Sequence, residues 1–370
     1  MKEGETIHGY RVTTPPNSAG AGRCRWAFAE KAGREYHLKE FLSPKYPADS
    51  SPASAKLKAR KRADCAAFEA RHRKIMAKTR EIAPGGGNLV VASDFFRDGS
   101  LYYKVTERIE GIPLPDPRRL DDKRRDVLLK TLAHSVDILH RQSIVHGDLK
   151  PGNVIVRQTR TGLYSAKLID FDDSYFVGEP PPSIEIVGDP SHYSPELLQY
   201  IKAGPDAQPD TLGTASDVFA LGLVFHTLMA GHAPGEREHP GVYPCEILRL
   251  EDQLPIDPGL TDGHADLIRD MLRADARDRP PSGEVIARLG LSGTGSPARR
   301  TVPGRPLPTP ETGDGAAVPR SGVRANGFGP IAPRVPPASP PPATPPSAPS
   351  VPDPDPAPSG LRVGRGFKRP

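Results

Sequence analysis

HGDLKPGNV, residues 146–154, is the stretch from which the rest of the chain reads outward. It sets an acid, Asp148, ahead of a lysine, Lys150, and an amide, Asn153. A second stretch, LIDFDD at residues 168–173, adds further acids. Phosphoryl transfer from a nucleotide needs this inventory. One carboxylate orients the attacking hydroxyl and accepts its proton, and a lysine offsets charge on the moving group. An amide oxygen and another carboxylate hold magnesium on the phosphates.

The chain around these stretches has 370 residues, room for two domains or one bilobal enzyme with an extension. Only 36% of it is hydrophobic and 6% aromatic, partly because about twenty of the 45 prolines follow Thr301. The folded part is therefore richer in core residues than the average. The three cysteines, Cys24, Cys65 and Cys245, are scattered and form no CxxC pair, which argues against a disulfide framework or a zinc site. From Ser296 onward about ten Lys/Arg face four Asp/Glu, leaving about 40 against 41 before it. The net charge of +5 thus comes from the tail, and no nucleic-acid groove is indicated in the main domain. MKEGETIHGY at the N-terminus has no apolar signal core. The longest apolar run, 218–230, contains His226 and is too short to span a bilayer, so it reads as a buried helix.

Before the first motif the chain reads as strand-rich. Residues 25–30 and 35–41 flank a hairpin turn at Ala32-Gly33, and 88–96 and 101–109 flank Asp98-Gly99. Between the pairs, 55–80 reads as a long, very basic helix closed by Pro84 and three glycines. Its basic run at 56–62 reads as a solvated face. From Asp121 helices dominate, at 125–142, 214–231, 263–273 and 282–289, with short strands at 154–156 and 166–169. After about Gly290, Pro, Gly, Ala, Ser and Arg take over, a composition that cannot bury enough apolar surface to offset its ordering entropy.

His146, Asp148, Lys150 and Asn153 keep the HxDxKxxN spacing, and the chain is similar to the eukaryotic-like (Hanks-type) serine/threonine protein kinases over roughly residues 9–289. Gly188 to Glu196 (GDPSHYSPE) resembles that family's activation-segment end, RDRPP supplies Arg279 as the partner of Glu196, and SDVFALG supplies Asp217. The resemblance implies an α+β, bilobal protein-kinase-like fold with a small antiparallel β lobe carrying one main helix and a larger helical lobe. The expected boundaries are 1–110 for the N-lobe, 111–292 for the C-lobe and 293–370 for a disordered tail. It implies ATP and Mg2+, or Mn2+, as cofactors. Asp148 would be the base, Lys150 would contact the γ-phosphate, and Asn153 and Asp170 would hold the metal. Lys39, in EYHLKEF, would grip the α and β phosphates, with Glu69 on the long helix as its acidic partner, although Arg73 one turn later replaces the usual apolar residue. Gly20 and Gly22 would form the phosphate loop, with Arg25 in place of its third glycine. Glu107, Ile109 and Glu110 would border the adenine and ribose beside Thr106 as gatekeeper.

Three positions depart from the family's usual form. Gly147 replaces an arginine that pairs with an activation-loop phosphate, which predicts activity without phosphorylation there. Asp172 replaces the glycine that lets the segment flip, and Asp172 or Asp173 reads either as an additional metal contact or as a solvating acid. Asp189 replaces a threonine that touches the catalytic groups and helps serine and threonine substrates dock. The resemblance implies protein substrates and an opposing phosphatase; the scattered cysteines fit a cytoplasmic location, and a composition rich in Ala, Arg, Gly and Pro together with the family's spread suggests a bacterial source. The proline runs at 336–346 read as a spacer or as a ligand for a proline-binding partner. Two other functions fit parts of the pattern: a small-molecule phosphotransferase of the aminoglycoside or choline kinase type, suggested by HGD and IDFDD, and a nucleotide-binding pseudokinase scaffold.

Overall fold

Ala32 and Gly33 both take positive φ, 52° and 73°, the two-residue turn whose twist suits a hairpin. They join β3 (Cys24–Lys31) to β4 (Arg34–Phe41), paired antiparallel from Lys31↔Arg34 to Cys24↔Phe41. The computed structural model describes residues 1–18, 23–112, 120–186 and 188–291. The chain divides into two units, Met1–Arg300 and Thr301–Pro370. The second, and with it the expected tail, lies outside the described residues, as do Gly20 and Gly22.

The first lobe is built on one six-stranded antiparallel sheet. β1 (Thr6–Ile7) and β2 (Tyr10–Val12) extend the hairpin on one side, and β6 (Leu101–Glu107) and β5 (Ala92–Asp98) on the other, in the order β1-β2-β3-β4-β6-β5. Period-2 alternation sends Ala27, Ala29, Leu38 and Val105 to one buried face. The long helix α1 (Ala55–Ile82) starts where the Ser54 hydroxyl accepts from Leu57 N. Its buried side chains are Cys65, His72, Ile75 and Thr79, a stripe at helical spacing, and its remaining surface is largely charged.

The second lobe is helical. α2 (Asp122–His140), capped by Asp121, and α4 (Thr214–Ala230) share its core. α4 is buried almost all round, as its apolar run requires, and ends at Gly231. Between them lie β7 (Ile144–Val145), the hairpin β8 (Val154–Gln158) with β9 (Tyr164–Leu168), and β10 (Tyr175–Phe176), which pairs with β7. The helices α3 (Pro195–Ala203), α5 (Pro244–Leu250), α6 (Asp262–Met271) and α7 (Ser282–Leu291) complete it.

Two expectations shift. The strand expected from residue 88 begins at Ala92. Residues 88–90 instead tie the lobes together, with Leu168 N donating to Asn88 O at 2.8 Å and Val90 N to Leu168 O at 2.9 Å. α3 and α5 were not legible as helices, being short and begun by proline, which reads as a turn.

Candidate active site

A cavity of about 420 Å3 is lined from the sheet by Trp26, Phe28 and Thr106, and from the second lobe by Asn153, Ile155 and Ile169. That size and a mostly apolar wall suit a small-molecule ligand. Lys39, Lys104, Lys150 and Asp170 add charge to the lining.

The residues of 146–154 are fixed from behind by a buried acid. Asp217, in the first turn of α4, accepts from His146 N at 2.6 Å and from Gly147 N at 3.1 Å, and its third contact is His140 Nε2 at 3.0 Å. His146, fully buried, contacts Ile169 O through Nε2 at 3.0 Å. Asn153 Nδ2 donates to Asp148 O at 2.7 Å and to Asp148 Oδ2 at 2.9 Å. Lys150 Nζ lies 2.7 Å from the same Oδ2. Acid, lysine and amide thus converge as their spacing implies.

Gly147 has φ +82°, and a Cβ there would lie 2.5 Å from Asp173 O. The backbone after Asp170 passes so close that only glycine fits. The same segment is held by Ser174 Oγ, which donates to His146 O at 2.9 Å. Asp170 itself has φ +64°, a conformation that non-glycine residues adopt mainly where the surroundings enforce it.

Lys39 meets two acids. Its Nζ donates to both oxygens of Asp170, at 2.9 and 2.8 Å, and lies 2.6 Å from Asp172 Oδ2. Asp172 Oδ1 accepts from Lys104 Nζ at 2.5 Å. Burial works against the Lys39 ammonium, but Asp172 and then Asp170 outweigh it and hold its pKa well above the usual lysine value. Burial likewise opposes ionised Asp172, yet Lys104 and then Lys39 hold it well below the usual carboxylate range. Asp170 is shifted up, by burial first and by the Asp172 charge second. Burial and the nearby Asp148 charge push Asp173 up to about 7.

Other expected site residues take different places. Glu69 is not brought to Lys39; its Oε1 accepts from Arg73 on the outer face of α1, at 2.9 and 2.8 Å. The helix instead turns His72 inward, packed on Phe41, Phe68 and Phe95. Glu107 and Ile109 line the cavity, whereas Glu110 is exposed and lies outside that lining. Arg25 points its guanidinium at buried Glu40, Nε donating at 2.9 Å. Asp189 caps a short turn by accepting from Ser191 N at 3.0 Å. Glu196 pairs with buried Arg279 through two hydrogen bonds, 2.7 and 2.9 Å. Lys104 was missed in the sequence, where a single lysine inside LYYKVTE gave the only signal.

The lining fits an adenine nucleotide with a divalent ion. The apolar walls suit the base, Lys39 and Lys150 suit phosphates, and the oxygens of Asn153 and Asp170 suit magnesium. Among the described residues no three His, Cys, Asp or Glu form a self-sufficient cage. An ion held by Asn153 and Asp170 would take its remaining ligands from phosphate and water.

A model of the protein kinase domain matches residues 55–288, beginning at α1 and so after Lys39. Curated proteins similar to the chain include calcium-dependent protein kinase 7 of Arabidopsis thaliana, 29% identical over 209 residues, with 55% of this chain and 37% of the relative covered. Ribosomal protein S6 kinase alpha-6 of Homo sapiens is 28% identical over 210 residues, 54% and 27% covered. The probable serine/threonine-protein kinase zyg-1 of Caenorhabditis briggsae is 28% identical over 212 residues, 55% and 27% covered. The chain thus spans 27 to 37% of the length of these relatives.

Proposed function

This chain belongs to the protein kinase domain family, and we propose that it transfers the γ-phosphate of ATP to serine and threonine hydroxyls of proteins. The observation that carries the reading is the convergence of Asp148, Lys150 and Asn153 beside a cavity that Lys39 and Asp170 also line. Bound ATP would supply the phosphoryl group, with Mg2+ offsetting charge on its β and γ oxygens. Lys39 would hold the α and β phosphates, and Asn153 and Asp170 would hold the metal. Asp148 would orient the substrate hydroxyl and take its proton. Lys150, already beside Asp148 Oδ2, stands where it would steady both the carboxylate and the γ-phosphate.

Activity without activation-loop phosphorylation is part of this proposal. Its support is that position 147 has no room for an arginine and that the segment after Asp170 is held by Ser174, by the β10–β7 pairing and by the Asp172 ion pairs. Glu196–Arg279 fixes the far end of the segment. We place the protein in the cytoplasm of a bacterium, on its composition rich in Ala, Arg, Gly and Pro and on its unpaired cysteines. Among the described residues no helix is long and apolar enough to cross a membrane. An opposing phosphatase and a proline-binding partner for residues 336–346 belong to the same reading; the latter segment lies outside the described residues.

The test is transfer from γ-labelled ATP with Mg2+ or Mn2+. The wild-type chain should label itself or a generic protein substrate, and Asp148→Ala should lower the rate by about 10²- to 10⁴-fold. Wild type and Asp148→Ala indistinguishable under either metal would overturn the reading.

A further inference from the structure

Lys39 and Lys104 sit directly opposite each other on β4 and β6. Cross-strand partners project to the same face, so two ammonium groups emerge side by side. Both are largely out of solvent, 13% and 10% exposed. Like charges so placed repel, and burying them requires matching acids. The acids come from one short segment: Asp170 on Lys39, and Asp172 between Lys39 and Lys104.

The helix behind the sheet supplies neither. Glu69 is turned to Arg73, and the inward position one turn along is His72, seated among aromatic rings. Among the described residues, the carboxylates paired with Lys39 are Asp170 and Asp172. In the proposed reaction Asp170 has a second task, holding the metal, so a lasting partner for Lys39 must be another acid.

We propose that Asp172, anchored by Lys104, is the positioning residue for Lys39, taking the part that an acid on the long helix plays in the family pattern. The group that grips the phosphates and the group that holds the metal are then set by one segment, two residues apart. The Lys39 ammonium keeps its place whatever α1 does. This inference rests on reading the cavity as a nucleotide site.

Trp26, the only tryptophan in the chain, lines the cavity and reports binding without turnover. The full-length chain is titrated with ATP and Mg2+ while Trp26 fluorescence is read, alongside thermal unfolding. Asp172→Gly alone leaves Lys104 buried without its acid and is open to misfolding. The deciding variant is therefore Lys104→Met with Asp172→Gly, which removes the pair together. It should unfold near the wild-type temperature yet bind ATP about tenfold more weakly than Lys104→Met alone, which keeps Asp172 on Lys39. Adding His72→Glu, which returns a carboxylate from the helix, should recover much of the loss. If the double variant binds ATP as tightly as Lys104→Met alone, Asp172 is only a counterion for Lys104 and the proposal is overturned. If the wild-type chain gives no response to ATP, the nucleotide reading itself fails and this inference with it.

Discussion

A methyl group at position 147 would meet the Asp173 carbonyl at 2.5 Å, on a backbone already at φ +82°. In the sequence this glycine read as a lost arginine. The contact that forbids any side chain comes from a residue 26 positions away, which spacing alone does not reveal. Gly147→Ala should destabilise the protein by about 1–3 kcal/mol in urea unfolding, from strain and displaced backbone together; an unchanged midpoint would show that the segment shifts freely. Asp148, Lys150 and Asn153 were legible because their spacing is local and a tight loop converts it directly into proximity. Lys104 was not, since a lysine in a strand shows its face only once the register with Lys39 is known. Asp172 was visible as a departure, but its two lysine partners lie on strands remote in sequence.

At the scale of elements, the long helix was placed well, 55–80 expected against Ala55–Ile82 found, because its polar, proline-free run and closing glycines are local signals. Its rotation was less legible. So few apolar residues mark the buried stripe that Glu69 read as the inward position, where the helix in fact buries His72. Burial pushes the His72 imidazole down to about 3, from an ordinary 6.5. Between those values the unfolded chain binds the proton and the folded one does not. Stability contributed by the neutral ring is therefore complete above about pH 6.5 and declines as pH falls toward 3. His72→Phe should flatten the acid side of a stability–pH profile by up to about 1.4 kcal/mol per pH unit. An unchanged slope between pH 4 and 6.5 would show that the ring is solvated. The Glu196–Arg279 pair joins the start of α3 to the turn before α7, with Arg279 also donating to the carbonyls of Arg273, Ala215 and Ala274. Arg279→Ala leaves Glu196 without its partner and should cost about 3–5 kcal/mol in chemical denaturation.

Across the whole molecule, the two-lobed α+β arrangement was legible from the family resemblance together with element order, strands around one long helix before residue 110 and mostly helices after 121. How the lobes meet was not legible. The parallel bridge Leu89↔Leu168 joins segments about eighty residues apart, in a stretch that read as the start of a strand. A ligand in the cavity touches both lobes, since residues of each line it. Binding to the folded state alone stabilises by mass action, so ATP with Mg2+ at about a hundred times its Kd should add roughly 2.7 kcal/mol. A thermal shift scan that finds no rise in Tm at saturating nucleotide would count against a nucleotide cleft.

The most direct measurement is to identify what carries the phosphate. Purified protein is incubated with ATP, Mg2+ and a mixture of generic protein substrates, and phosphorylated peptides are mapped by mass spectrometry beside an Asp148→Ala control. The account predicts phosphoserine and phosphothreonine in the wild-type reaction and their near absence in the control. Phosphate found only on a small alcohol, or the same sites at the same level in both reactions, would contradict it.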